Sequence, residues 1–184
     1  GGDIAYERLI VSPGIDFMVE TIPGLASAEA QQRVRHAWKA GPETAALRAQ
    51  LEAMPDGGVF AVVIPKSPYR CPPGPYERAC QVAYYFKTRK PRSKVLILDG
   101  NPDVQSKKGL FMAAWNGQYK GMVEYRPNHE LQEVDARTGT AVFIGDRVRA
   151  DVLNVIPPQK AGEIARRAGV VNVNNRWCDV DWLT

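Results

Sequence analysis

Apolar residues along this chain fall into two kinds of run. Stretches of strand length at 59–64, 94–98 and 151–156 are largely continuous rather than alternating, the pattern of strands buried on both faces. Between them, apolar positions recur at helical spacing: Ala45, Ala46, Leu47, Leu51 and Met54 after Pro42, and Ala79, Val82, Ala83 and Phe86 after Pro75. Pro42 and Pro75 suit the first turn of a helix, where no N–H is needed, and Asp56-Gly57-Gly58 stops the first of the two helices. A third helix is predicted over 110–119 and a further strand over 122–125. This alternation of strand and helix is that of a parallel sheet joined by right-handed crossovers.

Shorter runs at 131–135, 141–144 and 147–149, broken at Thr138-Gly139 and Gly145-Asp146, predict antiparallel strands before the last buried strand ends at Pro157-Pro158. The expected fold class is therefore α/β: a Rossmann-like parallel sheet with helices on both faces and a small antiparallel β-meander insertion. That is the shape of the second, NAD-type domain of a flavoprotein with two dinucleotide domains. Residues 8–11 read as a short buried strand ended by Ser12-Pro13-Gly14, and the sequence from there to 41 reads as irregular. On this reading 42–157 form the Rossmann-like domain, while 1–41 and 158–184 are a leftover, with connector, and a return segment of another domain.

Composition narrows the function classes. With 45% hydrophobic and 24% charged residues over 184 positions the chain is globular rather than disordered. A net charge of +4 is no nucleic-acid signature. The one dense basic cluster, Lys87, Arg89, Lys90, Arg92 and Lys94, reads as a solvated helix C-terminus, with docking of an acidic partner as the alternative. No apolar run approaches the ~20 residues of a membrane span. Nothing near the start resembles a signal peptide, and an opening on Gly1-Gly2-Asp3 without Met is that expected of an excised interior segment. Three cysteines and two histidines at these spacings match no zinc pattern, so no metal site is predicted; the odd cysteine count leaves room for a partner outside this sequence.

The segment after 59–64 carries the candidate chemistry. A dinucleotide-binding unit places G-x-G-x-x-G there, so that backbone N–H groups reach the pyrophosphate. Here residues 65–77 hold five prolines and one glycine, which removes five donors and makes a poor cradle; the domain is not expected to bind NAD(P). A loop so braced suits holding one side chain still. Cys71 lies shortly before the helix at Pro75 and beside Arg70, an electropositive position that favours a thiolate; a buried structural thiol is the alternative. Glu77 falls in the first helical turn, where a carboxylate suits the dipole, and facing a thiol it could serve as a general base if burial raises its pKa.

Arg70-Cys71-Pro72-Pro73-Gly74-Pro75-Tyr76-Glu77-Arg78-Ala79, with Gln81-Val82-Ala83-Tyr84-Tyr85 after it, resembles the signature of the flavoprotein subunit of flavocytochrome c sulfide dehydrogenases. His36-Ala37-Trp38-Lys39-Ala40-Gly41, Ser93-Lys94-Val95 with Ile97-Leu98-Asp99, Ala150-Asp151-Val152, Ile156-Pro157-Pro158-Gln159 and Trp177-Cys178 with Val180-Asp181 resemble the family in order and spacing. The resemblance implies a periplasmic enzyme of the disulfide-reductase flavoprotein class. It would bind FAD in its first domain, oxidise sulfide at a redox-active disulfide, and pass electrons to a cytochrome c subunit carrying haem c. Cys71 matches one half of that disulfide, Glu77 the proposed active-site base, and Ser12-Pro13-Gly14-Ile15 a segment of the FAD domain where the backbone passes close to the flavin nucleotide.

The departures are omissions. The glycine loop for FAD and the second active-site cysteine are absent from this sequence, so by itself it is expected to lack FAD and sulfide dehydrogenase activity. Cys80 matches no family cysteine and Cys178 carries no assignable role; both are expected to pack in the core. A sulfide:quinone reductase and an inert Rossmann-like interaction module are the competing readings. Strands stripped of their sheet neighbours also predict pairing of this segment with a second copy of itself.

Overall fold

The computed structural model describes residues 2–183. Its elements are β1 (Ile15–Phe17), α1 (Ala28–Arg33), α2 (Pro42–Ala53), β2 (Val59–Ile64), α3 (Gly74–Arg89), β3 (Lys94–Asp99) and α4 (Lys108–Asn116). There follow β4 (Val123–Arg126), β5 (Glu133–Asp135), β6 (Thr140–Phe143), β7 (Asp146–Arg149), β8 (Val152–Val155), β9 (Gln159–Ala161) and α5 (Glu163–Arg167). They form two units, Met18–Pro158 and a smaller one made of the residues up to Phe17 with those from Gln159 onward.

The larger unit is built on a parallel sheet in the order β4-β3-β2-β8, so the chain moves outward from β2 through β3 to β4 and then returns to the opposite side of β2. Successive side chains of a strand face opposite sides. In β2, Phe60, Val62 and Ile64 face a cluster that includes Leu47 of α2, Tyr76, Val82 and Phe86 of α3, and Phe111 and Trp115 of α4. Ala61 and Val63 face the other side, against Val134, Ala141, Phe143 and Val148 of an antiparallel meander β5-β6-β7. Both faces are thus buried, which is why the run reads as continuously apolar. Each fully buried large side chain here, such as Phe60 or Phe86, is worth roughly 2–3 kcal/mol of transfer free energy.

The helices are unequally shared between the two faces. α2, α3 and α4 lie on one; on the other the meander is joined by the short α1, whose Ala30 is buried there beside Ile22, Leu25 and Val34. Residues 18–41 therefore belong to the sheet unit, and the predicted boundary at 41 moves to Phe17/Met18. Ser27 starts α1 by accepting the Ala30 N–H on its hydroxyl at 3.1 Å, a cap that the 3.6-residue pattern alone does not reveal in so short a helix.

In the smaller unit β1 pairs antiparallel with β9, Ile15 opposite Ala161. The strand predicted at 8–11 is not formed. Leu9 and Ile10 are 60% and 89% exposed, because the edge of β9 is taken by residues 15–17 and no described strand pairs with 8–11. The basic cluster also resolves into particular duties. Lys90 is buried and donates to the carbonyls of Leu51 (3.0 Å), Glu52 (2.7 Å) and Met54, closing the C-terminal end of α2, while Arg92 pairs with Asp56 at 2.8 Å. No helix of the described residues is long and apolar enough to cross a membrane.

Candidate functional site

The connection 65–73 leaves the carboxyl end of β2, next to the point where the strand order reverses, the place where open α/β sheets bind ligands. Its path is set from β3. Asn101, just beyond β3, accepts the Ser67 N–H on Oδ1 at 2.9 Å and donates from Nδ2 to the Pro65 carbonyl at 3.0 Å and to Asp99 at 2.8 Å. Asp99 is fully buried; it also accepts the Tyr76 hydroxyl (2.7 Å), the Tyr125 hydroxyl (3.1 Å) and the Asn101 N–H (2.9 Å). A buried carboxylate is tolerable only when its lone pairs are so occupied. Burial first, and the Asp99 carboxylate second, push the Tyr76 hydroxyl far above its ordinary pKa. Burial likewise pushes Tyr69, inside the loop, up to about 12.

Cys71 is exposed, at the turn of this loop, with φ 63° in the left-handed region. For a residue with a side chain that conformation costs about 1–2 kcal/mol, and it is held by the Gly74 N–H bonding to the Cys71 carbonyl at 2.9 Å. A Cβ at position 74 would stand 2.7 Å from Trp38 Cη2 and 3.1 Å from Cys71 Sγ. Glycine is therefore required where the sulfur and the indole edge converge.

Trp38 is held from several sides. Its Nε1–H donates to the Arg70 carbonyl at 3.2 Å, and the Arg78 guanidinium stacks 5.1 Å from its ring centroid. Arg78 donates through Nη1 to the His36 carbonyl and to Asn154 Oδ1, both at 2.8 Å, and through Nη2 to the Ala37 carbonyl. Asn154, fully buried on β8, returns Nδ2 to the carbonyls of Arg35 (2.6 Å) and His36 (3.0 Å). Burial alone holds the Arg78 guanidinium down at about 10. It also lowers His36, against the opposing pull of Glu43.

These groups surround a cleft of about 520 Å³ lined by Trp38, Arg70, Cys71, Gly74, Glu77 and Arg78 among others. The structure thus brings the two sequence-predicted residues, Cys71 and Glu77, to one cleft. Glu77 is exposed in the first turn of α3. Trp38 and Arg78 were missed as site residues. Trp38 stands in a stretch without periodicity, and the one available signal for Arg78 was its place directly after Glu77. Cys80 is half-buried against the helix-side core, where burial raises its thiol; Cys178 is half-buried in the smaller unit, and no cysteine of the chain is in a disulfide. Among the described residues no group of three metal-ligating side chains gathers.

The segment Ser12, Pro13, Gly14 and Ile15 lies in the smaller unit. Ser12 to Gly14 are exposed, Gly14 has φ 74°, and its carbonyl accepts the Gly162 N–H at 3.1 Å; Ile15 is buried. Ser12 and Pro13 border an apolar cleft of about 470 Å³ with Leu9, Ile10, Val11 and Ile164.

Comparison with known proteins places these features. Residues 44–157 match the family described as the sulfide dehydrogenase (flavocytochrome c) flavoprotein chain, central region. Among solved structures the chain is similar to a water-forming NADH oxidase from Lactobacillus brevis (TM-score 0.61, 14% identity, 94% of this chain and 35% of that one). It is also similar to the reduced CoADR-RHD of Bacillus anthracis (TM-score 0.60, 16% identity, 93% and 28%). A third is an NAD-dependent persulfide reductase from A. fulgidus (TM-score 0.55, 17% identity, 88% and 28%). At these identities the likeness is one of fold, and the chain spans about a third or less of the length of each.

Proposed function

This chain belongs to the family of the central region of flavocytochrome c sulfide dehydrogenase flavoprotein chains, and on that premise we propose that it presents the sulfur-reactive cysteine, Cys71, of an FAD-dependent sulfide dehydrogenase. The observation that carries the reading is Cys71 itself: an exposed thiol in a strained left-handed conformation, on a loop anchored to buried Asp99, within the matched region. Strain of this kind concentrates at working sites.

In the proposed reaction hydrosulfide attacks the disulfide joining Cys71 to a cysteine outside this sequence. The new S–S bond makes a persulfide, the old one breaks, and its electron pair leaves on the departing thiolate. Glu77, on the same cleft, takes the S–H proton. FAD, when bound, supplies the two-electron acceptor. Ser12, Pro13, Gly14 and Ile15 fit part of a flavin contact: Gly14 presents bare backbone, and an apolar wall stands beside it. A haem c on a cytochrome c subunit as the next acceptor, and a periplasmic location, complete the reading.

The Rossmann-like unit is proposed not to use NAD(P). Besides the proline loop, the acid at the end of its second strand, Asp99, which a dinucleotide domain keeps for ribose, spends its oxygens on Tyr76, Tyr125 and Asn101. The test is Cys71→Ser in the full-length protein. Sulfide-dependent cytochrome c reduction is expected to fall to background, and a retained rate overturns the proposal in favour of an inert module.

A further inference from the structure

We propose that Arg78 is the specificity-determining residue of the Cys71 cleft, a largely buried cation whose counter-ion is the anionic sulfur species that the cleft admits. The inference deepens, and rests on, the assignment of Cys71 as the sulfur-reactive residue. Among the described residues every hydrogen bond that Arg78 makes goes to a neutral oxygen, two backbone carbonyls and one side-chain amide, and no carboxylate pairs with it. A largely buried charge without a counter-charge is unfavourable, and a neutral donor could serve the same three acceptors. What a neutral side chain could not do is hold a positive potential at the cleft wall, where desolvation strengthens it. Trp38 stacks on the guanidinium, its ring edge and the Cys71 sulfur both approach Gly74, and all of them line the same cleft, so the charge and the thiol share one wall system. Among the residues lining the cleft Glu77 is the one carboxylate, against Lys39, Arg70 and Arg78. The cleft therefore selects by charge: hydrosulfide and other small anionic sulfur species enter, and cationic ones of similar size are disfavoured.

The experiment uses methanethiosulfonate reagents of equal reach and opposite charge, sulfonatoethyl and trimethylammonioethyl, on the chain with no sulfide present. The Cys71 thiolate attacks the thiosulfonate sulfur, a mixed disulfide forms, and methanesulfinate leaves. Peptide mass mapping separates Cys71 from Cys80 and Cys178. Relative to the same chain unfolded in urea, the anionic-to-cationic rate ratio at Cys71 is expected to rise roughly tenfold at low salt and to collapse toward the unfolded value at about 1 M salt. Arg78→Lys should keep the ratio and Arg78→Gln should lose it. Equal ratios in the folded and unfolded chain, or a ratio that survives in a folded Arg78→Gln variant, overturn the proposal. Should Arg78→Gln fail to fold, Lys39→Gln and Arg70→Gln decide: the ratio survives both if Arg78 sets it, and its loss in either overturns the proposal. Because the readout needs neither sulfide nor flavin, failure here is distinct from failure of the Cys71→Ser test.

Discussion

Replacing Asp99 by Ala tests the idea that the reactive loop hangs from one buried carboxylate. Asp99 accepts four hydrogen bonds: from the Tyr76 and Tyr125 hydroxyls, and from the backbone N–H and side-chain amide of Asn101. Asn101 Nδ2 keeps the Pro65 carbonyl, and the half-buried Tyr125 can turn to water. The Tyr76 hydroxyl and the Asn101 N–H have no such recourse. Leaving a buried donor unpaired costs about 1–3 kcal/mol each, so the variant should lose roughly 3–5 kcal/mol, as when a buried charged network is broken. With a urea m-value of about 2 kcal/mol/M, the unfolding midpoint followed by far-ultraviolet circular dichroism should fall by roughly 1.5–2.5 M. Tyr125→Phe, which removes a single bond at a half-exposed position, should cost only about 0.5–1.5 kcal/mol. A shift for Asp99→Ala no larger than that of Tyr125→Phe would refute the keystone role.

Two further outcomes follow from the same neighbourhood. Tyr69 is raised to about 12, and Tyr76 and Tyr125 are raised as well, chiefly by burial. The folded state keeps these protons above pH 10 while the unfolded chain releases them, so stability is full below about pH 10 and falls as pH climbs toward 12. The slope should be about 1.4 kcal/mol per pH unit for each buried tyrosine, about 3 for Tyr69 and Tyr76 together, with less from the half-exposed Tyr125; urea midpoints between pH 9 and 11.5 that do not fall would contradict it. Gly74→Ala places a Cβ 2.7 Å from the Trp38 edge and 3.1 Å from the Cys71 sulfur. Overpacking of this kind costs about 1–3 kcal/mol, and the iodoacetamide reactivity of Cys71 should change with it; an unaltered midpoint and rate would mean that the glycine is not demanded by its neighbours.

Much of the fold was legible because its strands are buried on both faces and its helices on one. β2, β3 and β8 announced themselves as apolar runs, and Pro42 and Pro75 marked the starts of α2 and α3 to within a residue. Failures came where local pattern and tertiary partner part company. Residues 8–11 are as apolar as a strand should be, yet a strand exists only where another supplies its ladder, and β9 takes residues 15–17 instead. Residues 18–41 carry little local pattern, yet Ile22, Leu25 and Val34 within them are buried, recruited by a sheet face that the sequence places far downstream.

The same division explains the site. Cys71, the prolines and Gly74 lie within one short loop, and their meaning was readable there. What holds that loop, and what gives the cleft its charge, comes from elsewhere: Asn101 reaches Ser67 across 34 positions, and Arg78 reaches His36 across 42 and Asn154 across 76. Such partners leave no periodic trace, because each is a single polar residue whose partner lies on a different element. A strained thiol can persist only if the surrounding bonds outweigh its strain of about 1–2 kcal/mol. Asp99 with Asn101 on one side, and Arg78 with Asn154 on the other, supply buried hydrogen bonds in numbers that exceed it. The proposed chemistry is therefore local in the chain, while its preorganisation is a property of the assembled sheet, and loosening β3 or β8 should disturb Cys71 before any residue of its own loop is changed.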